Sequence, residues 1–193
     1  MALALTTRDP FSIITLPGGG ETGAPAWDRL LAWPVRGDAE LPFTATSAAQ
    51  RNLWAARLDE AVAQADRAVL LVAQGASCAA AAWWARLSPS QYVDRVAGAF
   101  LFMPDGADGR DTLFASPAAP LPFPSVVVTE REGEDAMASF ARSCGSRLLA
   151  VPHAAEPRQP TMWRHAQRMI ERVAAGIVEY DMRVIHAFAP PER

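Results

Sequence analysis

The chain has 193 residues, half of them apolar and a fifth charged, which is the composition expected of one globular domain spanning residues 1–193. Its formal net charge is −3, every cation is Arg, and no basic stripe or Arg cluster appears, so nucleic acid is excluded as an expected partner. Residues 1–10 lack the charged and apolar segments of a signal peptide, and no apolar run approaches the roughly 20 residues that span a bilayer, so we expect a cytoplasmic protein with no membrane contact.

The first half of the chain alternates strand-length and helix-length apolar segments. Phe11–Leu16 predicts a strand, and Pro25–Trp33 predicts a short helix, in whose first turn a proline is tolerated. Glu40–Thr44 is a weaker strand candidate, and Thr44–Ser47 offers capping side chains for the next helix. That helix, Gln50–Ala65, is amphipathic, and its predicted apolar face consists of Leu53, Trp54, Leu58, Ala61 and Val62.

The second half continues the same alternation. Ala68–Ala73 is a nearly continuous apolar run, as expected of a strand covered on both faces, and Ala76–Leu87 is the helix after it. Strands alternating with helices predict a parallel sheet with helices on both faces. The remaining predicted elements are strands at Val96–Met103, Ser125–Thr129 and Arg147–Val151 and helices at Glu134–Ser143 and after Pro160.

Ligands of such sheets bind at the carboxyl ends of the strands. The loops predicted there are Pro17–Gly23, Ala73–Cys78, Glu130–Asp135 and Pro152–Pro160. The second of these is a tight turn of small residues between a buried strand and an apolar helix, which is typical of a nucleophile elbow.

Cofactor and metal motifs are missing from the sequence. The glycines at 18–20 are not followed by Gly-Lys-Ser/Thr and do not make the G-x-G-x-x-G spacing of a dinucleotide site. The three His are scattered, and Cys78 and Cys144 form no pair of metal-ligand spacing. We therefore predict no cofactor and no metal.

Four segments carry a resemblance to a known family. They are Leu16–Gly20 followed by Trp27, Trp54–Val62, Leu70–Ala73 with Cys78 and Trp84, and Val96–Pro104. In this order and spacing the chain resembles the small serine hydrolases of the YdeN type, whose animal relative is retinoblastoma-binding protein nine. The resemblance implies a lidless α/β-hydrolase fold with about six mostly parallel strands and helices on both faces.

The triad positions that the resemblance implies depart from the family's residues. The family's elbow has the residues Ala-His-Ser-Leu-Gly-Cys, which align with Ala73–Cys78, so Gly75 takes the place of the nucleophile. The acid position falls near Glu132, and the base position falls near Glu156, three residues after His153. The same alignment assigns the oxyanion hole and pocket to Gly18, Gly19, Gln74 and Ala76.

Ser77 is the alternative nucleophile, because Gly75–Ala79 is itself an elbow-like string of small residues. Two helical residues rotate a side chain by about 200°, so Ser77 serves only if the strand extends two residues, through Gln74. Otherwise Ser77 is a small helix residue packed against the sheet. In the catalytic interpretation, His153 is the base and Glu132, Glu130 or Asp135 orients it.

Two functions follow as hypotheses. The first is a catalytically impaired hydrolase homologue that binds a small ester or acyl ligand, or a protein partner. The second is an active small esterase or acyl hydrolase that uses Ser77, His153 and Glu132. The segments rich in Trp leave a homodimer possible under either hypothesis.

Overall fold

A computed structural model describes residues 11–18, 24–31, 36–103, 112–117, 119–130 and 135–151 of the chain. Within these residues the strands form one six-stranded sheet in the order β2-β1-β3-β4-β5-β6, and every neighbouring pair is parallel. The strands are β1 (Ser12–Leu16), β2 (Ala39–Glu40), β3 (Val69–Gln74), β4 (Val96–Phe102), β5 (Ser125–Thr129) and β6 (Arg147–Ala150).

Helices connect the strands, as parallel pairing requires. Ser47 begins the longest described helix, since its hydroxyl accepts a 3.3 Å hydrogen bond from the amide of Gln50. The helices are α1 (Ala26–Leu31), α2 (Ala48–Gln64), α3 (Ala76–Leu87), α4 (Ser90–Val93) and α5 (Asp135–Cys144), and a single 3₁₀ turn covers Thr112–Phe114.

Alternate residues of the buried strands face two separate apolar clusters. In β3, Leu71 and Ala73 pack with side chains of α2, α3 and α5, whereas Leu70 and Val72 pack with α1. Every residue of β3, β4 and β5 is buried, so these strands are covered on both sides. The predicted parallel sheet with helices on both faces is thereby confirmed.

Two differences from the predicted elements concern the second strand and the helix after it. The weak strand candidate contributes only Ala39–Glu40 and one isolated bridge between Gly18 and Phe43, since Pro42 has no amide proton to donate to the ladder. Leu53 is 57% exposed, because it lies about 100° around the helix from the buried stripe of Trp54, Leu58 and Val62.

Several predicted segments lie partly or wholly outside the described residues: the end of the first helix, at 32–33, parts of two loops, at 19–23 and 131–134, and the segment from 152 onward, including the helix after Pro160. In the part of the chain that the structure describes, no helix is both long enough and apolar enough to cross a membrane.

Candidate functional site

A one-residue turn joins β3 to α3 at the carboxyl edge of the sheet. β3 ends at Gln74, α3 begins at Ala76, and Gly75 between them has φ 59° and ψ −131°. The amide of Gly75 donates to the carbonyl oxygen of Phe102 at 2.9 Å, and its own carbonyl accepts from the amide of Cys78 at 3.0 Å. A side chain at this φ is strained, whereas glycine adopts it readily. The elbow conformation therefore belongs to residue 75.

The helix after the elbow packs tightly against the sheet. Residues 77–85 are all buried, whereas Ala76, at the tip of the turn, is exposed. Seven of these nine buried residues are Ala, Ser or Cys, whose small side chains let the helix approach the strands. Ala76 is thus the residue at which the elbow reaches the molecular surface.

Ser77 lies in the first turn of α3 and has no exposed surface. Its Oγ donates a 2.8 Å hydrogen bond to the carbonyl oxygen of Pro17, the residue that follows β1. β3 does extend through Gln74, as the Ser77 hypothesis requires, yet the residue in the elbow conformation is Gly75 and not Ser77. The Ser77 hydroxyl proton is engaged with a peptide carbonyl in this arrangement.

Gln74 is a buried polar side chain at the end of β3, 3% exposed. Its Oε1 accepts a 2.6 Å hydrogen bond from the amide of Ala26, the first residue of α1. The first amides of a helix have no acceptor within the helix, so this side chain satisfies a donor that the helix itself leaves unpaired.

The chain leaving β1 lies beside the elbow. Besides Ser77, the carbonyl of Pro17 accepts from the amide of Phe43 at 3.4 Å, and Gly18 forms the bridge with Phe43. The structure therefore brings Gly18, Gln74, Gly75, Ala76 and Ser77 together at one edge of the sheet. Gly19 lies outside the described residues.

The acid and base positions are only partly covered by the structure. Glu130 follows β5, and its Oε1 lies 2.7 Å from Nη2 of Arg29 on α1. Glu132, His153 and Glu156 lie outside the described residues. Sequence reasoning missed the partner of Glu130, since no local pattern links residues that are 101 positions apart.

Both cysteines are buried. The Sγ of Cys78 lies 3.3 Å from the carbonyl oxygen of Phe102. Burial raises the pKa of the Cys144 thiol, against smaller lowering effects from Ser143 and Arg86. No group of three or more His, Cys, Asp or Glu suited to a metal ion occurs within the described residues.

Comparisons with known proteins agree with this architecture. A family model described as serine hydrolase matches residues 13–157, which is more than half of the chain. A search of curated protein sequences found no significant match. The fold is similar to the crystal structure of a protein described as a YdeN-like hydrolase from Pectobacterium atrosepticum, with a TM-score of 0.54 and 15% identity over 81% of this chain and 89% of that one. At that identity the likeness concerns the α/β fold.

Proposed function

Because this chain belongs to the serine hydrolase family, we propose that it is a catalytically impaired member that binds a small ester or acyl ligand at the β3–α3 elbow. The observation that carries the proposal is the conformation of Gly75, which has the φ of 59° at the turn between strand and helix. A nucleophile elbow presents a hydroxyl from the residue that holds this turn. Glycine holds the turn and offers no hydroxyl.

The backbone of the elbow supports ligand binding without a nucleophile. The first amides of a helix point away from the helix and carry its positive partial charge, which suits a carbonyl or carboxylate oxygen. Ala76 is exposed at this end of the 12-residue helix α3. The nearby chain at Gly18 is the second segment that the family resemblance assigns to an oxyanion hole. An ester, an acyl carbonyl or a fatty carboxylate has the oxygen that such donors bind.

The alternative is an active esterase that uses Ser77, with His153 as base and Glu132 as the acid. Family membership favours hydrolysis in general, and Ser77 is the hydroxyl nearest in sequence to the elbow. Against it, Ser77 is fully buried and its Oγ donates to Pro17. Attack on a substrate needs that hydroxyl both exposed and paired with a base.

A fluorophosphonate probe, mapped by mass spectrometry on the wild-type protein, separates the two functions. We expect no adduct on Ser77, in a folded sample that shares its tube with an active serine hydrolase as a reactive control. An adduct on Ser77 that the Ser77→Ala variant loses refutes the proposal and establishes the alternative. Weak ester turnover alone does not decide between them, because binding and an oxyanion hole sustain roughly 10³–10⁴-fold catalysis when a triad member is removed.

Ligand binding is tested separately with octanoate, which combines an apolar chain with carboxylate oxygens. We expect octanoate to shift the backbone amide signals of Gly75 and Ala76 in a nuclear magnetic resonance titration. The matched ligand control is 1-octanol, which has the same chain and no carboxylate. Equal shifts from both compounds indicate unspecific apolar binding and count against the proposed site.

A further inference from the structure

The two buried polar side chains on either side of Gly75 each contact one end of the same chain segment. Ser77 donates to the carbonyl of Pro17 at 2.8 Å, and Gln74 accepts from the amide of Ala26 at 2.6 Å. Pro17 follows β1 and Ala26 begins α1, so these contacts hold both ends of the β1–α1 connection. The partners lie 60 and 48 residues apart in sequence, so neither contact is local.

Neither contact belongs to a strand ladder or a helix. Ala26 is the first residue of α1, so its amide has no acceptor within that helix, and a buried amide left unpaired is costly. Pro17 lies beyond β1, and the Phe43 amide, which also donates to its carbonyl, is farther away, at 3.4 Å. The elbow side chains are therefore the closest partners of these two backbone groups.

We propose that Gln74 and Ser77 are positioning residues, which together form a two-point clamp that fixes the start and end of the β1–α1 connection against the elbow. The ligand part of this inference rests on the proposed function. The clamp holds the backbone at Gly18 in a fixed relation to the backbone of Ala76, an exposed residue, before a ligand arrives. A segment that is already ordered loses no conformational entropy when the ligand binds. A site held by the clamp therefore binds an acyl oxygen more tightly than a site whose backbone must first become ordered.

The clamp also gives Ser77 a role that needs no catalysis. In the elbow string that this chain resembles, glycine stands at the position of Ser77 and histidine at that of Gln74. The hydroxyl absent at residue 75 is thus present two residues later, where its proton holds Pro17. Both clamp residues lie next to the ligand site and act through the backbone that they hold.

The test compares four variants of the full chain. Ser77→Ala and Gln74→Met each remove one contact, whereas Gln74→Glu keeps an acceptor for the Ala26 amide. Ser125→Ala is the matched control, because Ser125 is 7% exposed and its Oγ lies 2.5 Å from Ser146 Oγ, at the opposite end of the strands. The readouts are octanoate affinity and residue-resolved hydrogen exchange at the amides of Gly18, Ala26 and Phe43.

We expect Ser77→Ala and Gln74→Met to weaken octanoate binding about fivefold to thirtyfold, the effect of losing one buried hydrogen bond. Gln74→Glu adds a carboxylate that repels octanoate, so it is assessed by exchange alone and should keep the Ala26 amide slower to exchange than Gln74→Met does. Ser125→Ala leaves the octanoate affinity unchanged. Exchange should accelerate at both ends of the connection in Ser77→Ala, including at Ala26, whose own acceptor Gln74 is still present. A purely local role for Ser77 predicts faster exchange near Pro17 alone.

Failure of the clamp and failure of the proposed function give different results. If octanoate does not bind the wild-type protein, the proposed ligand class is wrong. The exchange data alone then show whether Gln74 and Ser77 hold the two ends of the connection. If octanoate binds and its affinity is the same in Ser77→Ala, Gln74→Met and wild type, the clamp is refuted and the proposed function stands. Exchange at Ala26 that does not respond to Ser77→Ala also refutes it.

Discussion

The amide of Gly75 donates a 2.9 Å hydrogen bond to the carbonyl oxygen of Phe102, the last residue of the neighbouring strand β4. This bond joins the elbow to the centre of the sheet, where residue 75 has a φ of 59°. The backbone around a serine-hydrolase elbow can thus be maintained by residues other than the nucleophile.

Gly75→Ser should lower the free energy of unfolding by about 1–3 kcal/mol, since it places a side chain at a positive φ. Urea denaturation measures this change. Ala76→Ser is the matched control, because it adds the same hydroxyl at the exposed next position, where we expect a change within about 0.5 kcal/mol. Equal stability of Gly75→Ser and wild type contradicts the strain argument.

The same Gly75→Ser variant should not hydrolyse p-nitrophenyl acetate appreciably faster than wild type. A serine needs a base within hydrogen-bond reach, and the base position that the family resemblance implies falls near Glu156. Combining Gly75→Ser with Glu156→His is the positive arm of the experiment. A large increase in the hydrolysis rate from Gly75→Ser alone would show that a working base is already present and that the wild-type protein lacks only the hydroxyl.

The fold was largely predictable because the sequence patterns that indicate its strands and helices are local. Buried strands in a parallel sheet are continuous apolar runs, and the predicted bounds of Ser125–Thr129 and Ala76–Leu87 agree with the structure. An elbow within Ala73–Cys78 was predictable for the same reason, since a strand, a turn of small residues and a helix follow one another without interruption. That Gly75 holds it was implied by the family resemblance, with Ser77 left open as the alternative. The α4 turn was not predicted, because four residues are too few to show a helical period.

The contacts of the candidate site could not be predicted in the same way. The partners of Gln74 and Ser77 depend on which strands become neighbours, and β1 lies beside β3 only because the chain crosses over β2 and α2 first. Sequence alone left Ser77 with two interpretations, and it gave no reason to place Pro17 against its hydroxyl. Polar contacts between distant segments need the topology before they can be assigned.

Asp59→Ala should destabilise the protein by about 1–3 kcal/mol, since the fully buried Trp84 donates its indole N–H to Asp59 at 2.7 Å. Removing the carboxylate leaves that donor without its acceptor. Glu60→Ala, at the exposed neighbouring position, should change stability little. Trp84→Phe combined with Asp59→Ala should be less destabilising than the sum of the two, and simple additivity contradicts this coupling.

Arg86→Lys should be nearly as destabilising as Arg86→Met, by about 1–2 kcal/mol. The guanidinium of Arg86 donates to the carbonyls of Ala119 and Ser143 at 2.8 Å each and to Ser116 Oγ at 3.2 Å. A single ammonium group cannot reach three acceptors that lie in different directions. Arg57→Met, at an exposed position on α2, is the control. If Arg86→Lys retains full stability, the planar guanidinium group is not what holds these three acceptors.

The Cys144 thiol should make the stability of the protein decrease at alkaline pH. Burial raises its pKa in the folded state, so the folded chain holds the thiol proton more tightly than the unfolded chain does. This contribution to stability is fully present below the ordinary thiol pKa of about 8.5 and is lost as the pH rises through the raised folded value.

Urea denaturation of wild type and Cys144→Ala between neutral and alkaline pH measures the effect, because the difference between the two proteins removes the contributions of other titrating groups. We expect the wild type to lose more stability than the variant over this range. Alkylation by iodoacetamide gives an independent check: a buried thiol of raised pKa should react slowly in the folded protein and at an ordinary rate in urea. Fast alkylation of Cys144 in the folded state, together with parallel pH profiles of the two proteins, means that this thiol is neither shielded nor held in its protonated form by the fold.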